Sequence, residues 1–141
     1  MILVDSNVLL YAVQVSSPRH SAAKAHLEEL FSSKRTIALT WLALLAFLRI
    51  STKREVFSSP LSPDQALSII GNWLHQPNCI VLAAGPKHFE ILSSLIASTG
   101  VAGNLTSDAH LASISIEHSA ELHSFDSDFS RFAQLRFYHL R

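Results

Sequence analysis

Three aspartates, Asp5, Asp108 and Asp126, each stand where a helix is expected to begin. Asp5 and Asp126 directly follow short apolar runs, and Asp108 lies in the first turn after the Gly103-Asn104 break. Taken singly, each is an ordinary helix-start residue, accepting backbone N–H groups and complementing the helix dipole. Taken together, with Asn7 two residues after Asp5 and Asp128 two residues after Asp126, they outline a site. Carboxylates gathered within ~4–6 Å raise one another's pKa unless a cation lies between them. A hard divalent ion with oxygen ligands, Mg²⁺ or Mn²⁺, suits such a cluster. The chemistry this supports is phosphoester hydrolysis, in which the ion orients the phosphate and activates water.

Elements that alternate in type are needed to bring these acids together. Ile2-Leu3-Val4 reads as a buried strand, and Ser6 to Val13 as a helix. Pro18 opens a second helical stretch, with Ala23, Leu27, Leu30 and Phe31 on one face. Thr36 to Leu39 reads as a second strand, and Thr40 caps an apolar helix, Trp41 to Ser51, expected to be buried on most sides. Lys53 to Leu61 is a polar loop. Ser62-Pro63-Asp64-Gln65 then combines a capping Ser, a first-position Pro and a Gln three residues on. Asn78 to Leu82 is a third strand, followed by a helix from Pro86 with Phe89, Leu92, Leu95 and Ile96 on its face. Asn104 to Glu117 is a further helix capped by Thr106 or Asn104; Glu121 to Phe125 and Arg136 to His139 are the last strands. The pattern predicts one α/β domain over residues 1–141. Its three layers place a mostly parallel sheet of four to five short strands between helices. In such sheets, strand-to-helix junctions gather at the carboxyl edge, where ligands bind.

Composition narrows the function classes. With 48% hydrophobic and 16% charged residues, the 141-residue chain is a folded unit with one core. Eleven Lys and Arg balance eleven Asp and Glu, so any polyanion site is local. A single cysteine, Cys79, excludes a disulfide framework and a thiolate zinc site, and fits a reducing cytoplasm. Asp5 interrupts the N-terminal apolar run, and the longest uncharged apolar stretch, Trp41 to Leu48, is far short of a membrane span. A soluble, cytoplasmic protein with no membrane partner is expected.

Four segments carry a resemblance that covers essentially the whole chain. They are Ile2-Leu3-Val4-Asp5-Ser6-Asn7-Val8-Leu9, Trp41 to Arg49, Gly103 to Ala112, and Phe125-Asp126-Ser127-Asp128-Phe129. In this order and spacing they resemble the motifs of the PIN-domain ribonucleases of the VapC toxin type, the toxic half of VapBC toxin–antitoxin pairs. The resemblance implies a metal-dependent endoribonuclease with metal-binding acids at Asp5, Asp108 and Asp126 and with Asp128 close by. It implies a homodimer and a VapB-type antitoxin that covers the site. The first two helices and the loop around Phe57 are the expected contact surface.

One position departs from the family pattern. A Glu is expected three residues before Arg49, and this chain has Ala46. No other acid lies between Leu30 and Arg54, so no neighbour substitutes for it. Engineering and natural divergence both account for the change. Either way, one carboxylate is missing, and weak metal binding with slow or absent cleavage is the expectation. Arg49, Asn7, Thr106 and His110 are candidates for orienting the acids or the substrate, although Asn7 and Thr106 are also helix-cap residues, the favoured role for Thr106, and His110 reads as a packing residue. Arg49, Lys53 and Arg54 form the densest basic cluster, with smaller ones at Lys34-Arg35 and Arg131-Arg136. The eight histidines show no H-E-x-x-H spacing and read as packing or surface residues.

A second reading is a catalytically silent PIN-like module that binds RNA or antitoxin. Two other α/β enzymes fail at named positions. A phosphoaspartyl phosphatase needs Asp where Asn7 stands, and a receiver domain needs an Asp after the strand that ends near Leu82.

Overall fold

The computed structural model describes residues 1–100 and 102–141. In chain order the elements are β1 (Ile2–Val4), α1 (Ser6–Val13), α2 (His20–Ser32), β2 (Ile37–Leu39), α3 (Trp41–Ser51) and α4 (Pro63–Leu74). They continue with β3 (Cys79–Val81), α5 (His88–Thr99), α6 (Thr106–Glu117), β4 (Glu121–Ser124) and β5 (Phe137–His139). Short 3₁₀ turns, Gly103–Leu105 and Ser127–Arg131, precede α6 and follow β4.

The sheet is entirely parallel, in the order β3-β2-β1-β4-β5. The chain builds outward from β1 on one side, then returns to add β4 and β5 on the other. The order therefore reverses between β1 and β4, and open α/β sheets bind ligands at such a crevice. Alternation along the short strands separates two cores. Ile2, Val4, Ile37 and Leu39 face α1 to α4, whereas Leu3, Ala38 and Leu122 face α5 and α6. The expected three layers are present.

Local chemistry explains most element ends. Thr40 accepts from Ala43 N at the start of α3, and Ser62 with Gln65 forms the capping box of α4. Gly100, at φ +69°, ends α5 in the left-handed conformation that glycine adopts without steric cost. The amino end of α5 is capped from a distance: the Glu117 carboxylate accepts from Gly85 N and Lys87 N at 2.8 and 2.9 Å.

Four expectations fail, each for a packing reason. Helix α3 is buried on one face only, through Ala43, Leu44 and Phe47, while Trp41 and Leu45 are 52% and 56% exposed. Phe89 is 80% exposed, because α5 rests on Leu95 with Ile91, Leu92 and Ile96 beside it. Phe57 is 5% exposed and belongs to the core, so the loop around it offers no aromatic contact surface. Neither Thr106 nor Asn104 caps α6. The 3₁₀ turn runs straight into the helix, the cap position is Leu105, and no side chain bonds there.

Candidate active site at the β1–β4 crevice

The register that pairs Val4 with His123 brings the residues after both strands to one edge. Asp5 N donates to His123 O at 3.1 Å, extending the ladder by one residue. Side chains then lock the junction. The fully buried Ser124 hydroxyl donates to Asp5 Oδ2 at 2.7 Å and accepts from Asn7 Nδ2 and Asp126 N, both at 3.0 Å. Asn7 Oδ1 accepts from Phe125 N, and Asp5 Oδ1 accepts from Ser6 N at 2.7 Å. Asp126 accepts from Asp128 N at 2.9 Å, capping the 3₁₀ turn that carries Asp128. Residue type alone does not mark Ser124 as a site residue. Its only signal is its place, a small hydroxyl ending an apolar strand two residues before an acid.

This makes Ser124 a hub. Ser124→Ala leaves the Asn7 amide, the Asp126 N–H and one Asp5 oxygen each short of a partner. Unsatisfied buried groups cost about 1–3 kcal/mol each, so with three such groups a loss of at least about 3 kcal/mol is expected in urea unfolding. An unchanged midpoint would show that solvent already serves these groups.

Asp108, in the first turn of α6, joins from the other side. One carboxylate oxygen each from Asp108, Asp126 and Asp128 lies within 4.8 Å of the others. Asp5 is outside that trio but couples to it through charge. Burial, then the charges of Asp126, Asp5 and Asp128, push the Asp108 carboxyl up to about 6. Burial also raises Asp5, against the bonds from Ser124 and Ser6 that favour its ionised form. An all-oxygen, mutually repelling donor set matches a hard divalent cation such as Mg²⁺ or Mn²⁺.

The raised Asp108 value has a stability consequence. A carboxyl whose folded pKa exceeds its unfolded value stabilises the fold below the unfolded value, near 3.8, and loses that contribution as pH rises through about 6. In the metal-free protein, Asp108→Asn removes this penalty. Its melting temperature minus that of the parent should grow between pH 4 and 7 and then level off. A flat difference in calorimetry across that range would refute the coupling.

A cleft of about 220 Å³ opens beside the acids, lined by Asp5, Asp108, Ser107, Ala46, Arg49 and Leu42 among others. Ala46 and Arg49 share the face of α3 that forms its wall. Arg49 is exposed and has no carboxylate within ion-pair distance among the described residues. Arg131 sits at 3.9 Å from Asp128.

Several candidates fall elsewhere. Thr106 is exposed at the first position of α6. His110 turns toward α5, where its Nδ1 lies 2.9 Å from His88 Nε2. Two residues along a helix is more than half a turn, so Asp108 and His110 diverge. His118 bonds the Ala83 carbonyl, in keeping with a packing role. Arg35 precedes β2 and pairs with Glu121, and Arg136 precedes β5 and bonds Ser119 O, so both lie at the amino edge, away from the acids.

Known proteins resemble this chain in sequence and in fold. The PIN domain family model matches residues 2–135. Ribonuclease VapC33 of Mycobacterium tuberculosis is 43% identical over 136 residues, spanning 96% of this chain and 95% of its own. Ribonuclease VapC37 of the same organism is 38% identical over 136 residues, spanning 96% and 94%. Among solved structures, VapBC2 from Rickettsia felis, bound to a DNA fragment from its promoter, superposes with a TM-score of 0.73 at 20% identity over 100% of both chains. The sarcin-ricin loop cleaving toxin VapC20 of M. tuberculosis gives 0.67 at 15% identity, over 92% of this chain and 93% of its own. With the fold, the acidic crevice and relatives of this identity in agreement, the chain belongs to the PIN-domain family, in the branch formed by the VapC ribonucleases.

Proposed function

We propose that this chain is the toxin of a type II toxin–antitoxin pair. It acts as an endoribonuclease, hydrolysing RNA phosphodiester bonds in the cytoplasm as one domain over residues 1–141. The observation that carries this reading is the meeting of acids from three distant segments at the sheet's reversal point, within a chain of the VapC branch. Asp5, Asp108 and Asp126 would hold a Mg²⁺ or Mn²⁺ ion, with Asp128, whose carboxylate lies within 4.8 Å of those of Asp108 and Asp126, close by. When bound, the ion orients the scissile phosphate, lowers the pKa of the attacking water and neutralises developing charge.

The remaining residues position and exclude. Ser124 and Asn7 hold Asp5 and Asp126 in fixed relation, so no reorganisation is needed as substrate arrives. Arg49 at the cleft wall offers a cation to an RNA phosphate. Leu42, Leu45, Leu48 and Leu67 line an apolar groove of about 570 Å³ between α3 and α4, continuous with the cleft through Ala46 and Arg49. This groove suits the apolar side of a VapB-type antitoxin segment, and two such toxins would form a homodimer. No helix among the described residues is long and apolar enough to cross a membrane.

Incubation of purified protein with total RNA and Mn²⁺ or Mg²⁺ tests the reading. Discrete fragments that disappear with EDTA are expected. Ala46, which removes a carboxylate from the cleft wall, favours the second reading, a module that binds RNA or antitoxin without cutting. Retained RNA binding with no fragments at any metal concentration would establish that reading instead.

A further inference from the structure

We propose that Arg19 is an RNA-binding residue, its guanidinium packed against Tyr11 and Phe125 so that its free N–H groups meet a phosphate near the scissile one. The inference rests on the ribonuclease reading and adds a contact outside the acidic cleft. The Arg19 guanidinium carbon lies 5.6 Å from the Tyr11 ring centroid and 5.3 Å from that of Phe125. The two rings meet edge to face at 5.4 Å, forming a rigid platform. Local bonds hold this segment: Arg19 N donates to Ser17 Oγ, and the His20 ring bonds the Tyr11 carbonyl through Nδ1.

Two further observations give this platform a direction. Phe125 stands between Ser124 and Asp126, so the guanidinium sits over the residue that joins the site's hub to one of its acids. Arg19 is exposed, and no carboxylate lies within ion-pair distance of it among the described residues. A cation packed against aromatic faces is attracted by their quadrupoles while its N–H edge stays available. A guanidinium already confined in this way loses little freedom when it forms a bidentate phosphate contact. In a chain with zero net charge, a confined cation packed on the residue next to Asp126 is a local point of attraction for the backbone of a polyanion.

The test reads binding and turnover separately. Affinity for a short fluorescein-labelled, mixed-sequence oligoribonucleotide is measured in EDTA across a salt series, and cleavage of total RNA is measured with Mn²⁺. For Arg19→Ala, affinity should fall about tenfold. The slope of log K against log salt should shrink by about 0.7, the loss of one single-strand phosphate contact. KM should rise with little change in kcat. Arg19→Lys should keep the slope, since the charge remains, but recover only part of the affinity. Lys34→Ala removes an equal charge at the opposite edge of the sheet and should leave the slope unchanged.

If Arg19→Ala lowers only the melting temperature, Arg19 merely covers Phe125 and the inference is wrong, while the ribonuclease reading stands. Equal losses in Arg19→Ala and Lys34→Ala would reduce the effect to overall charge and also overturn it. Should Arg19→Ala fail to fold, the slope and affinity of Arg19→Gln decide the matter by the same criteria. A parent protein that neither binds nor cuts RNA would remove both the inference and the function beneath it.

Discussion

Asp126→Asn should reduce metal-dependent RNA cleavage at least a hundredfold while leaving the fold intact. Asp126 has two tasks that this substitution separates. Its carboxylate caps the turn that carries Asp128, accepting from Asp128 N at 2.9 Å. An Asn oxygen performs this equally well, because Asn and Asp are comparable caps. The second task is charge: Asp126 is the first charge acting on Asp108 and also acts on Asp5. Asn contributes no charge and is a poorer ligand for a hard cation. A hundredfold loss corresponds to about 2.7 kcal/mol of transition-state stabilisation, well within what one metal-site carboxylate supplies. Thermal melting adds an independent measure. Without metal the variant should melt no lower than the parent, since a repelling charge has gone. With Mn²⁺ the stabilisation that follows from selective binding to the folded state should largely vanish. Cleavage within threefold of the parent, together with an unchanged response to Mn²⁺, would remove Asp126 from the site.

The acids of this site were legible because the physics that places them is local. In a parallel sheet a strand commonly leads into a helical turn, and Asp5 and Asp126 stand at those junctions, one residue after Ile2–Val4 and two after Glu121–Ser124. Asp108 required only that the Gly103-Asn104 break open a new helix, which it does by way of a 3₁₀ turn. What local pattern did not carry was anything decided by a partner across the fold. Ser124 looks neutral in sequence, yet it ties Asp5, Asn7 and Asp126 together across more than a hundred residues of chain. The cap of α5 is Glu117, on another helix. The apolar run of α3 reads as buried all round, but the sheet and the neighbouring helices cover only one side of it. His110 stands close to Asp108 in sequence, and helical geometry sends it to His88 instead. Proximity along the chain marked the acids; only packing separated their true neighbours from their apparent ones.

The same geometry makes Ala46→Glu the most informative gain of function. Ala46 lines the cleft with Asp5 and Asp108, on the helix turn before Arg49. A Glu there would extend into about 220 Å³ of open space, so overpacking is not the dominant effect. Without metal, a further carboxylate worsens the repulsion that already lifts Asp108 to about 6. The variant should therefore melt lower than the parent at pH 8, by an amount that shrinks as the acids protonate. Arg49, three residues on, offsets part of this cost. With a divalent ion present the sign reverses, because the added oxygen ligand now relieves rather than adds unbalanced charge. Affinity for Mn²⁺ should rise about tenfold, or about 1.4 kcal/mol, and the cleavage rate should rise by a similar factor. Ala46→Gln, of the same shape without the charge, should gain neither. If Ala46→Glu binds Mn²⁺ no better and cuts RNA no faster, the lack of a carboxylate at position 46 is not what limits this site. Asp128, already within 4.8 Å of Asp108 and Asp126, would then be the acid that completes the ligand set.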